Sequence, residues 1–345
     1  MGDSRRPEVV VITGASAGVG RATVRRFARE GARIGLVARG RDGLEEARRE
    51  AEDAGASALV LPTDVADFAQ VEAAAAEVEQ RFGPIDAWIN VAMTSVFSPV
   101  KETRPEEYER VLKVNFLGYV HGTLAALARM LPRDRGVIVQ ASSALAFRSI
   151  PLQSAYCASK HAIAGFTESL RSELIHDGSR VRVSMVHLPG MNTPQFLWSK
   201  SRLPYKPQPV PPIFQPEVAA DALHWAAHND RRDIKVGFPT VEAIWGNRVI
   251  PGLLDHWLAK VGYTRQMTDE PVDPDRVDNL WAPVPGDFGA HGPFDRRAKS
   301  SSLELWFDIH RLSLGAVALC AAALVGAAAR SAAARRSTPW RRLLA

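Results

Sequence analysis

Short β-branched runs alternate with longer helical patterns between residues 8 and 237, and this alternation is the feature that most constrains the fold. We predict strands at Val9–Thr13, Arg33–Ala38, Ala58–Leu61, Ala87–Asn90, Gly136–Ser142, Arg180–His187 and Ile234–Val236. Helical patterns lie between them, at residues 19–30, 43–54, 67–82, 105–130, 155–177 and 216–229. This spacing predicts an α/β fold in which helices cover both faces of a doubly wound, mostly parallel sheet of about seven strands. In such sheets ligands bind at the carboxyl ends of the strands.

The remainder of the chain follows a different pattern. Eight prolines between residues 189 and 216 rule out a long helix there and predict an irregular flap. Residues 241–262 are predicted to form one apolar helix, and the Asp-, Pro- and Gly-rich residues 268–297 an extended surface connection. We therefore expect a catalytic and cofactor-binding domain at residues 1–237, which includes the substrate flap 189–216. A mostly helical C-terminal extension is expected at 238–345.

Composition and charge exclude several classes of protein. The net charge is +5, but arginines collect at the chain ends and no basic stripe interleaved with aromatic residues occurs in the body. A nucleic-acid partner is therefore not expected. Cys157 and Cys320 lie far apart, which argues against a disulfide framework and fits a reducing compartment. His224 and His228 share a helix face, but no third ligand lies near in sequence, so no metal site is expected.

A glycine-rich turn follows the first predicted strand. Residues 13–20 read Thr-Gly-Ala-Ser-Ala-Gly-Val-Gly, and the candidate cofactor-binding residues among them are Thr13, Gly14, Ser16, Gly18, Val19 and Gly20. Glycines allow a sharp turn and let a pyrophosphate approach the helix N-terminus, where free N–H groups and the helix dipole favour an anion. A tight strand–helix turn without a ligand would look the same, but the position after the first strand of an α/β pattern favours a dinucleotide cofactor.

Tyr156 and Lys160 are four residues apart on a predicted helix, so their side chains share one face. A nearby cation stabilises a phenolate and lowers the pKa of a tyrosine, which makes the phenol useful for proton transfer. Ser143 ends a buried strand thirteen residues before Tyr156 and can reach the same crevice. A surface pair with no catalytic role is the alternative for this spacing taken alone.

Together these motifs resemble the short-chain dehydrogenase/reductase family over roughly the first 237 residues, which implies a Rossmann-like fold. The resemblance implies catalytic roles for Ser143, Tyr156, Lys160 and Asn115. It also implies that Asp64 and the adjacent Val65 contact the adenine, that Asn90 begins the cofactor-side Asn-Val-Ala-Met segment, and that Tyr156 and Lys160 hold the nicotinamide ribose. The loop that holds the nicotinamide corresponds to Pro189, Gly190 and Thr193.

Two substitutions and one shift in spacing depart from the family pattern. Val91 and Met93 stand where the family has an asparagine and a glycine, which reshapes the pocket floor beside the cofactor. Thr193 comes one residue earlier than in the commonest family spacing, so its cofactor contact is less secure.

The end of the second strand favours NADP(H) over NAD(H). An NAD site usually places a carboxylate there to accept the ribose hydroxyl. Ala38 takes that place here, and Arg39 follows with a guanidinium suited to the extra phosphate of NADP.

The sequence thus predicts an NADP(H)-dependent enzyme that transfers a hydride between the nicotinamide and a carbonyl or alcohol carbon. The resemblance implies that Tyr156 transfers the proton and that Lys160 lowers the pKa of Tyr156. It also implies that Ser143 orients the substrate oxygen and that Asn115 fixes a water that links Lys160 to solvent. The substrate is expected to be a hydrophobic small molecule. The alternatives are an NAD-dependent alcohol dehydrogenase on the same scaffold and a non-catalytic NADP(H)-binding scaffold or sensor. The family resemblance also suggests a homo-oligomer.

The C-terminus contains eighteen residues without a charge, Leu312–Ala329, inside an expected helix at 303–329. A helix of that length spans about 27 Å, just short of a bilayer core of about 30 Å. Five arginines follow, and they suit an interfacial helix on anionic lipid better than a full span from a cytoplasmic enzyme. A close helix–helix contact through small residues is the alternative. We expect a cytoplasmic protein that contacts the membrane through this C-terminal helix.

Overall fold

The computed structural model describes residues 7–273 and 275–311. Seven parallel strands form the central sheet: β1 (Val9–Thr13), β2 (Arg33–Ala38), β3 (Ser57–Pro62), β4 (Ala87–Asn90), β6 (Val137–Ser143), β7 (Arg182–Leu188) and β12 (Asp233–Lys235). Shorter strands lie outside it: β5 (Val96–Phe97), β8 (Gly190–Met191), β9 (Lys200–Ser201), β10 (Tyr205–Pro207), β11 (Ile213–Phe214), β13 (Met267–Pro271) and β14 (Ala298–Lys299). The order in the central sheet is β12-β7-β6-β4-β1-β2-β3. From β1, the strands β2 and β3 extend the sheet to one side, and β4, β6, β7 and β12 extend it to the other. The strand order therefore reverses between β1 and β4, and the ligand crevice is expected at the carboxyl ends of these two strands.

Helices flank the sheet: α1 (Gly18–Ala28), α2 (Arg41–Asp53), α3 (Phe68–Phe82), α4 (Pro105–Leu112), α5 (Gly118–Met130), α6 (Ser154–His176), α7 (Gln195–Trp198), α8 (Pro216–His228), α9 (Phe238–Val249) and α10 (Pro251–Val261). All residues of β1, β4 and β6 are buried, as is expected for parallel strands that helices cover on both faces. The predicted doubly wound sheet of seven strands is confirmed, and the predicted ends of its strands lie within two residues of the observed ones.

The predicted single helix 241–262 is wrong, because the segment forms two helices, α9 and α10. Ile250 breaks it with an extended φ of −134°, and Pro251 opens the second helix. Proline disfavours the helical conformation in the residue that precedes it, which explains the break. The predicted helix at 105–130 also widens into one π-helical turn, Lys113–Leu117, between α4 and α5.

The flap between residues 189 and 216 is irregular, but short strands fix it in place. β8 pairs with β11, and β11 pairs with β14, so a small parallel sheet joins the flap to the chain near residue 298. Residues 268–297 were expected to be a surface connection, yet Leu280 is fully buried and Ala290 and Phe294 are nearly so. This connection is therefore part of the packed structure.

The compact unit that holds the sheet continues to Ser302, later than the predicted boundary at 237, because residues 238–302 pack on the sheet domain. A second unit begins at Leu303, and within it residues 303–311 are helical. The uncharged stretch Leu312–Ala329 lies outside the described residues. Within the described parts of the chain, one helical run, Pro105–Arg133, is long and apolar enough to cross a membrane. Of the eighteen most apolar consecutive residues of this run, 56% are buried in the fold. Packing against the sheet accounts for its composition.

Candidate active site

The glycine-rich turn after β1 has the geometry of a phosphate-binding loop. Gly14 and Gly18 adopt positive φ angles of 71° and 58°. A Cβ on Gly20 would lie 2.0 Å from the carbonyl oxygen of Gly14, so only glycine fits there. No side chain caps the start of α1, and Ser16, Val19 and Gly20 line the cleft. The Gly18 amide already donates to the Gly289 carbonyl oxygen at 3.0 Å, so we expect the amides of Val19 and Gly20 to bind a pyrophosphate.

Thr13 and Asn90 support the wall of the cleft from behind. The Thr13 hydroxyl accepts hydrogen bonds from the amides of Val91, at 3.0 Å, and Ala92, at 3.2 Å. The fully buried Asn90 amide donates to Gln140 Oε1 at 2.9 Å and accepts from the Trp88 indole at 2.9 Å. These two side chains thus hold the strand ends. The residues of this stretch that face the cleft are Val91, Ala92 and Met93, which include the two departures from the family pattern.

Ser143 and Tyr156 meet at the carboxyl end of β6. Ser143 is the last residue of that strand, its side chain is buried, and its hydroxyl accepts a hydrogen bond from the Leu145 amide at 3.1 Å. Tyr156 lies in the first turn of α6 and lines the same cleft. Burial raises the pKa of Tyr156 well above its ordinary value, and a hydrogen bond with the Ser143 side chain opposes that rise. The phenol therefore carries its proton at neutral pH.

Lys160 lies one helical turn after Tyr156 and is buried. Its Nζ donates to the carbonyl oxygen of Ala141 at 2.8 Å and to the Tyr119 hydroxyl at 3.4 Å. The ammonium is 5.5 Å from the centre of the Tyr156 ring. Burial lowers the pKa of Lys160 to about 7. Lys160 was expected to lower the pKa of Tyr156. In the free protein burial outweighs that effect, because burial disfavours the charged form of both side chains.

Asn115 occupies the π-helical turn between α4 and α5. Its Oδ1 accepts from the Thr94 amide at 2.8 Å, and its Nδ2 donates to the Thr94 carbonyl at 2.9 Å and to Ser159 Oγ at 3.2 Å. Such π-helical turns within α-helices occur frequently at functional sites. Asn115 thereby joins the strand-end loop to α6, one residue before Lys160.

Asp64 and Val65, which are predicted to contact the adenine, line the cleft with Arg39. The Arg110 guanidinium donates to Asp64 Oδ2 at 2.7 Å, which leaves the carboxylate already paired. Arg39 donates to the main-chain carbonyl oxygens of Asn279 at 2.5 Å, Trp281 at 3.1 Å and Leu280 at 3.4 Å. The predicted phosphate-binding arginine therefore also holds a segment from late in the chain.

The predicted nicotinamide loop lies opposite the glycine-rich turn. Pro189, Gly190 and Thr193 all line the cleft. A Cβ on Gly18 would lie 3.2 Å from the Thr193 Cβ, so the two loops are in contact. Asn192, which sequence reasoning missed, fixes this loop: its side chain donates to Gln215 Oε1 at 2.9 Å and to Asp295 Oδ1 at 2.8 Å.

The cleft has a volume of about 1180 Å³ and continues from the glycine-rich turn past Tyr156 to the α9–α10 hairpin. The hairpin end is lined mainly by apolar side chains: Phe238, Val241, Trp245, Ile250, Leu253, Leu254, Trp257 and Leu258. Trp257 and Trp245 each lie under an arginine, Arg265 at 5.0 Å and Arg248 at 5.7 Å from the ring centres. This end of the cleft suits a hydrophobic molecule.

The two histidines on α8 gain a third neighbour in the folded chain. Glu30 Oε2 is 3.1 Å from His224 Nε2, and the three groups are close enough to share an ion. His228 is already paired with Glu8 at 3.1 Å, and Glu30 with Arg26 at 2.8 Å. Ion pairing accounts for these contacts, and the expectation of no metal site stays a prediction.

Comparison with known proteins decides the family. The model for short chain dehydrogenase matches residues 8–201. This chain belongs to the short-chain dehydrogenase family. As a member of that family, it is an NAD(P)-dependent oxidoreductase.

Its relatives include an "uncharacterized oxidoreductase YxnA" of Bacillus subtilis (strain 168), 31% identical over 278 residues, which cover 80% of this chain and 78% of that protein. The human "dehydrogenase/reductase SDR family member 7" is 38% identical over 180 residues, 49% of this chain and 53% of that protein. A "fatty acyl-CoA reductase" of Acinetobacter baylyi is 31% identical over 221 residues, 64% of this chain and 72% of that protein. The region of this chain that matches the human relative thus spans only about half of that relative's length.

Solved structures show the same fold with either cofactor. A metagenomic short-chain oxidoreductase in complex with NADP has a TM-score of 0.56 and 28% identity, and covers 68% of this chain and 97% of its own. A short chain dehydrogenase from Mycobacterium paratuberculosis bound to NAD has a TM-score of 0.58 and 25% identity, and covers 67% of this chain and 96% of its own. The family binds NAD or NADP, so the choice between them depends on this short-chain dehydrogenase's own residues.

Proposed function

We propose that this protein is an NADP(H)-dependent reductase that interconverts a carbonyl and an alcohol on a hydrophobic small molecule. The observation that carries the proposal is that Ser143 and Tyr156 line one cleft together with Lys160, which is buried one helical turn after Tyr156. These groups lie in one cleft with the glycine-rich turn, so a nicotinamide anchored there can reach the substrate carbon beside the phenol.

The residues divide the work by their chemistry. NADPH, when bound, supplies the hydride for the substrate carbon. Tyr156, which carries its proton at neutral pH, donates it to the carbonyl oxygen, and Lys160, 5.5 Å from the ring centre, stabilises the phenolate that is left. Ser143 orients that oxygen with its hydroxyl, and Lys160 holds the nicotinamide ribose. Asn115 holds the loop at Thr94 and the backbone of α6 in register with these groups.

We infer the preference for NADP(H) from the end of β2. Ala38 offers no carboxylate to a ribose hydroxyl, Arg39 lines this corner of the cleft, and Arg110 donates to the same Leu280 carbonyl oxygen as Arg39 does. The carbonyl partners of Arg39 are neutral, and Asp64, which is already paired with Arg110, is the carboxylate that acts on it. Burial, together with repulsion by the charge of Arg110, lowers the pKa of Arg39, and the Asp64 carboxylate opposes only part of that shift. A 2′-phosphate would relieve that repulsion.

The substrate class follows from the hairpin end of the cleft. Apolar side chains of α9 and α10 line it, and a carbonyl compound with a long apolar part would bury those side chains from water. The similarity to a protein named fatty acyl-CoA reductase is consistent with such a substrate.

We further propose that the protein faces the cytoplasm and contacts the membrane. Outside the cleft lining, Val249 of the hairpin is 72% exposed, and the stretch 312–329 is uncharged and apolar by composition. Fractionation of the full chain against a chain ending at Ser302 tests this. Equal recovery of both forms in the soluble fraction would remove the C-terminal stretch as an anchor.

The function itself is tested by NADPH oxidation over a panel of ketones, aldehydes and quinones. We expect turnover with at least one apolar substrate, and for Tyr156→Phe a loss of about 10²–10⁴-fold while NADPH still binds. Turnover that survives in Tyr156→Phe would contradict the catalytic assignment. NADPH binding with no turnover on any substrate would favour the non-catalytic sensor, and faster alcohol oxidation with NAD would favour the NAD-dependent alternative. Light scattering of the purified chain tests the expected homo-oligomer.

A further inference from the structure

Residues 279–289, here called the strap, cross the open side of the cofactor cleft. Strap residues line the same cleft as the glycine-rich turn: Asn279, Pro283, Val284, Gly286 and Phe288. The strap comes from the part of the chain beyond the region that matches the family model, which ends at residue 201. It is therefore an addition to the cofactor site that the family resemblance does not supply.

One end of the strap is attached where the 2′-phosphate is expected. Arg39 donates to three consecutive strap carbonyls, and Arg110 donates to one of them, that of Leu280, at 3.0 Å. Leu280 itself is fully buried. Arg110 also holds Asp64 at 2.7 Å, so the strap, the adenine-side carboxylate and the cofactor-selecting arginine form one connected group.

The other end is attached to the glycine-rich turn and the helices beside it. The Gly18 amide donates to the Gly289 carbonyl oxygen at 3.0 Å. The fully buried Arg21 side chain donates to Asp287 Oδ1 at 3.2 Å. The Gly286 amide donates to Asp42 Oδ2 at 2.8 Å. These contacts fix the strap to both helices that follow the first two strands.

The strap also meets the flap on the nicotinamide side. The Asn279 amide donates to the Trp198 carbonyl oxygen at 3.0 Å, and the Phe288 ring packs edge-on against the Trp198 ring at 4.5 Å. Just beyond the strap, a Cβ on Gly292 would lie 2.4 Å from the Thr193 carbonyl oxygen. The strap is thus attached on three sides of the dinucleotide cleft.

We propose that the strap is the outer wall of the cofactor site, and that NADP(H) leaves only when the strap is displaced. This inference rests on the proposed function. Its chemistry is specific to the cofactor: neutral carbonyls orient the Arg39 guanidinium without cancelling its charge, and the strap covers the phosphate-bearing half of the cleft. Release therefore requires breaking the attachments at Asp42 and Asp287 as well as the contacts of the cofactor itself.

The double variant Asp42→Ala and Asp287→Ala tests the proposal by removing both carboxylate attachments and leaving the glycine-rich turn intact. Stopped-flow displacement of bound NADPH by excess NADP⁺ should show dissociation at least tenfold faster than in the unaltered chain. The matched control is Asp221→Ala, which removes the 3.1 Å ion pair of an acid on α8 with Arg26 of α1, away from the strap. The control should release NADPH at the unaltered rate. An unaltered rate in the double variant would overturn the proposal.

Hydrogen exchange on the unaltered chain provides a second measurement, which decides the matter if the double variant does not fold. Saturating NADPH should slow exchange of the strap amides at least tenfold, including that of Gly286. Strap amides that exchange equally fast with and without bound NADPH would then overturn the proposal. If the unaltered chain binds no NADPH at all, the proposed function fails first, and the two failures are distinguished by that binding measurement.

Discussion

The Lys160 ammonium donates a 2.8 Å hydrogen bond to the carbonyl oxygen of Ala141, in the strand whose last residue is Ser143. Lys160 is thereby held near the Tyr156 ring and away from bulk water. The same burial that positions the group also lowers its pKa to about 7, and this has a consequence for stability.

Lys160→Met should change the pH dependence of the free energy of unfolding. Between about pH 7 and the ordinary lysine value of 10.5, the unfolded chain carries a proton on Lys160 that the folded chain lacks, so stability rises with pH. Below the lowered pKa of about 7, the folded chain also carries the charge on Lys160, so the full free-energy cost of burying that charge reduces the stability. We expect the variant to be more stable than the unaltered chain at about pH 6, with an advantage that shrinks towards about pH 9.5. Urea denaturation at both pH values measures this, and an advantage independent of pH would contradict it.

Arg39→Asp should reverse the cofactor preference. The substitution removes a cation that a 2′-phosphate would pair with and adds an acceptor for a ribose hydroxyl. We expect the ratio of kcat/KM for NADPH to that for NADH to fall on the order of 10- to 100-fold, the effect of one hydrogen bond to a charged group. Arg41→Asp is the matched control, because Arg41 is exposed and paired with Glu45 at 3.3 Å. An equal fall of this kcat/KM ratio in Arg39→Asp and Arg41→Asp would show a general effect of charge and would contradict a specific contact between Arg39 and the 2′-phosphate.

Gly20→Ala should abolish NADPH binding and lower the melting temperature. The added methyl would lie 2.0 Å from the Gly14 carbonyl oxygen, so the turn cannot keep its shape. Gly165→Ala is the control within a helix, since nothing lies within 4 Å of its new Cβ. We expect that control to bind NADPH normally and to be about 0.5–1 kcal/mol more stable. Thermal denaturation and NADPH titration measure both variants, and normal binding in Gly20→Ala would contradict the assigned phosphate loop.

Trp257→Ala should lower activity selectively on long apolar substrates. The Trp257 ring lines the hairpin end of the cleft and is held under Arg265, so its loss removes apolar contact from the far part of a long substrate. We expect kcat/KM for a long-chain aldehyde to fall on the order of tenfold relative to a short-chain aldehyde. Val249→Ala, at an exposed position on α9 outside the cleft lining, should leave the ratio unchanged. A parallel fall for both chain lengths in Trp257→Ala would argue against a substrate wall at the hairpin.

The parts of the fold that sequence predicted well are those that depend on local patterns. The central strands are continuous apolar runs and were placed within two residues, and the spacing of Tyr156 and Lys160 places both side chains on one helix face. The break at Ile250 was missed because apolar side chains continue through it, although Pro251 marks it. The interpretation of Asn90 as a cofactor-side residue rests on a motif; its side chain contacts Trp88 and Gln140 in the core, and the cofactor role stays a prediction.

The strap could not have been predicted by the same means. Its contacts with Arg39 use the main-chain carbonyls of Asn279, Leu280 and Trp281, which any three residues could supply. The pairing of Arg110 with Asp64 joins two elements that no sequence pattern connects. Such contacts depend on how the chain returns across the sheet, which is information only the tertiary structure holds.

The bond between Gly18 and Gly289 also bears on how the protein is made. The glycine-rich turn, Tyr156 and Lys160 all emerge from the ribosome long before the strap does. A nascent chain can therefore complete its sheet while the nucleotide cleft is still uncovered on one side, and only the last portion of synthesis closes it. Products of premature termination before the strap would carry every predicted catalytic residue and still lack an enclosed site. For expression work, the integrity of the C-terminal portion should accordingly be checked before any loss of activity is attributed to the catalytic residues.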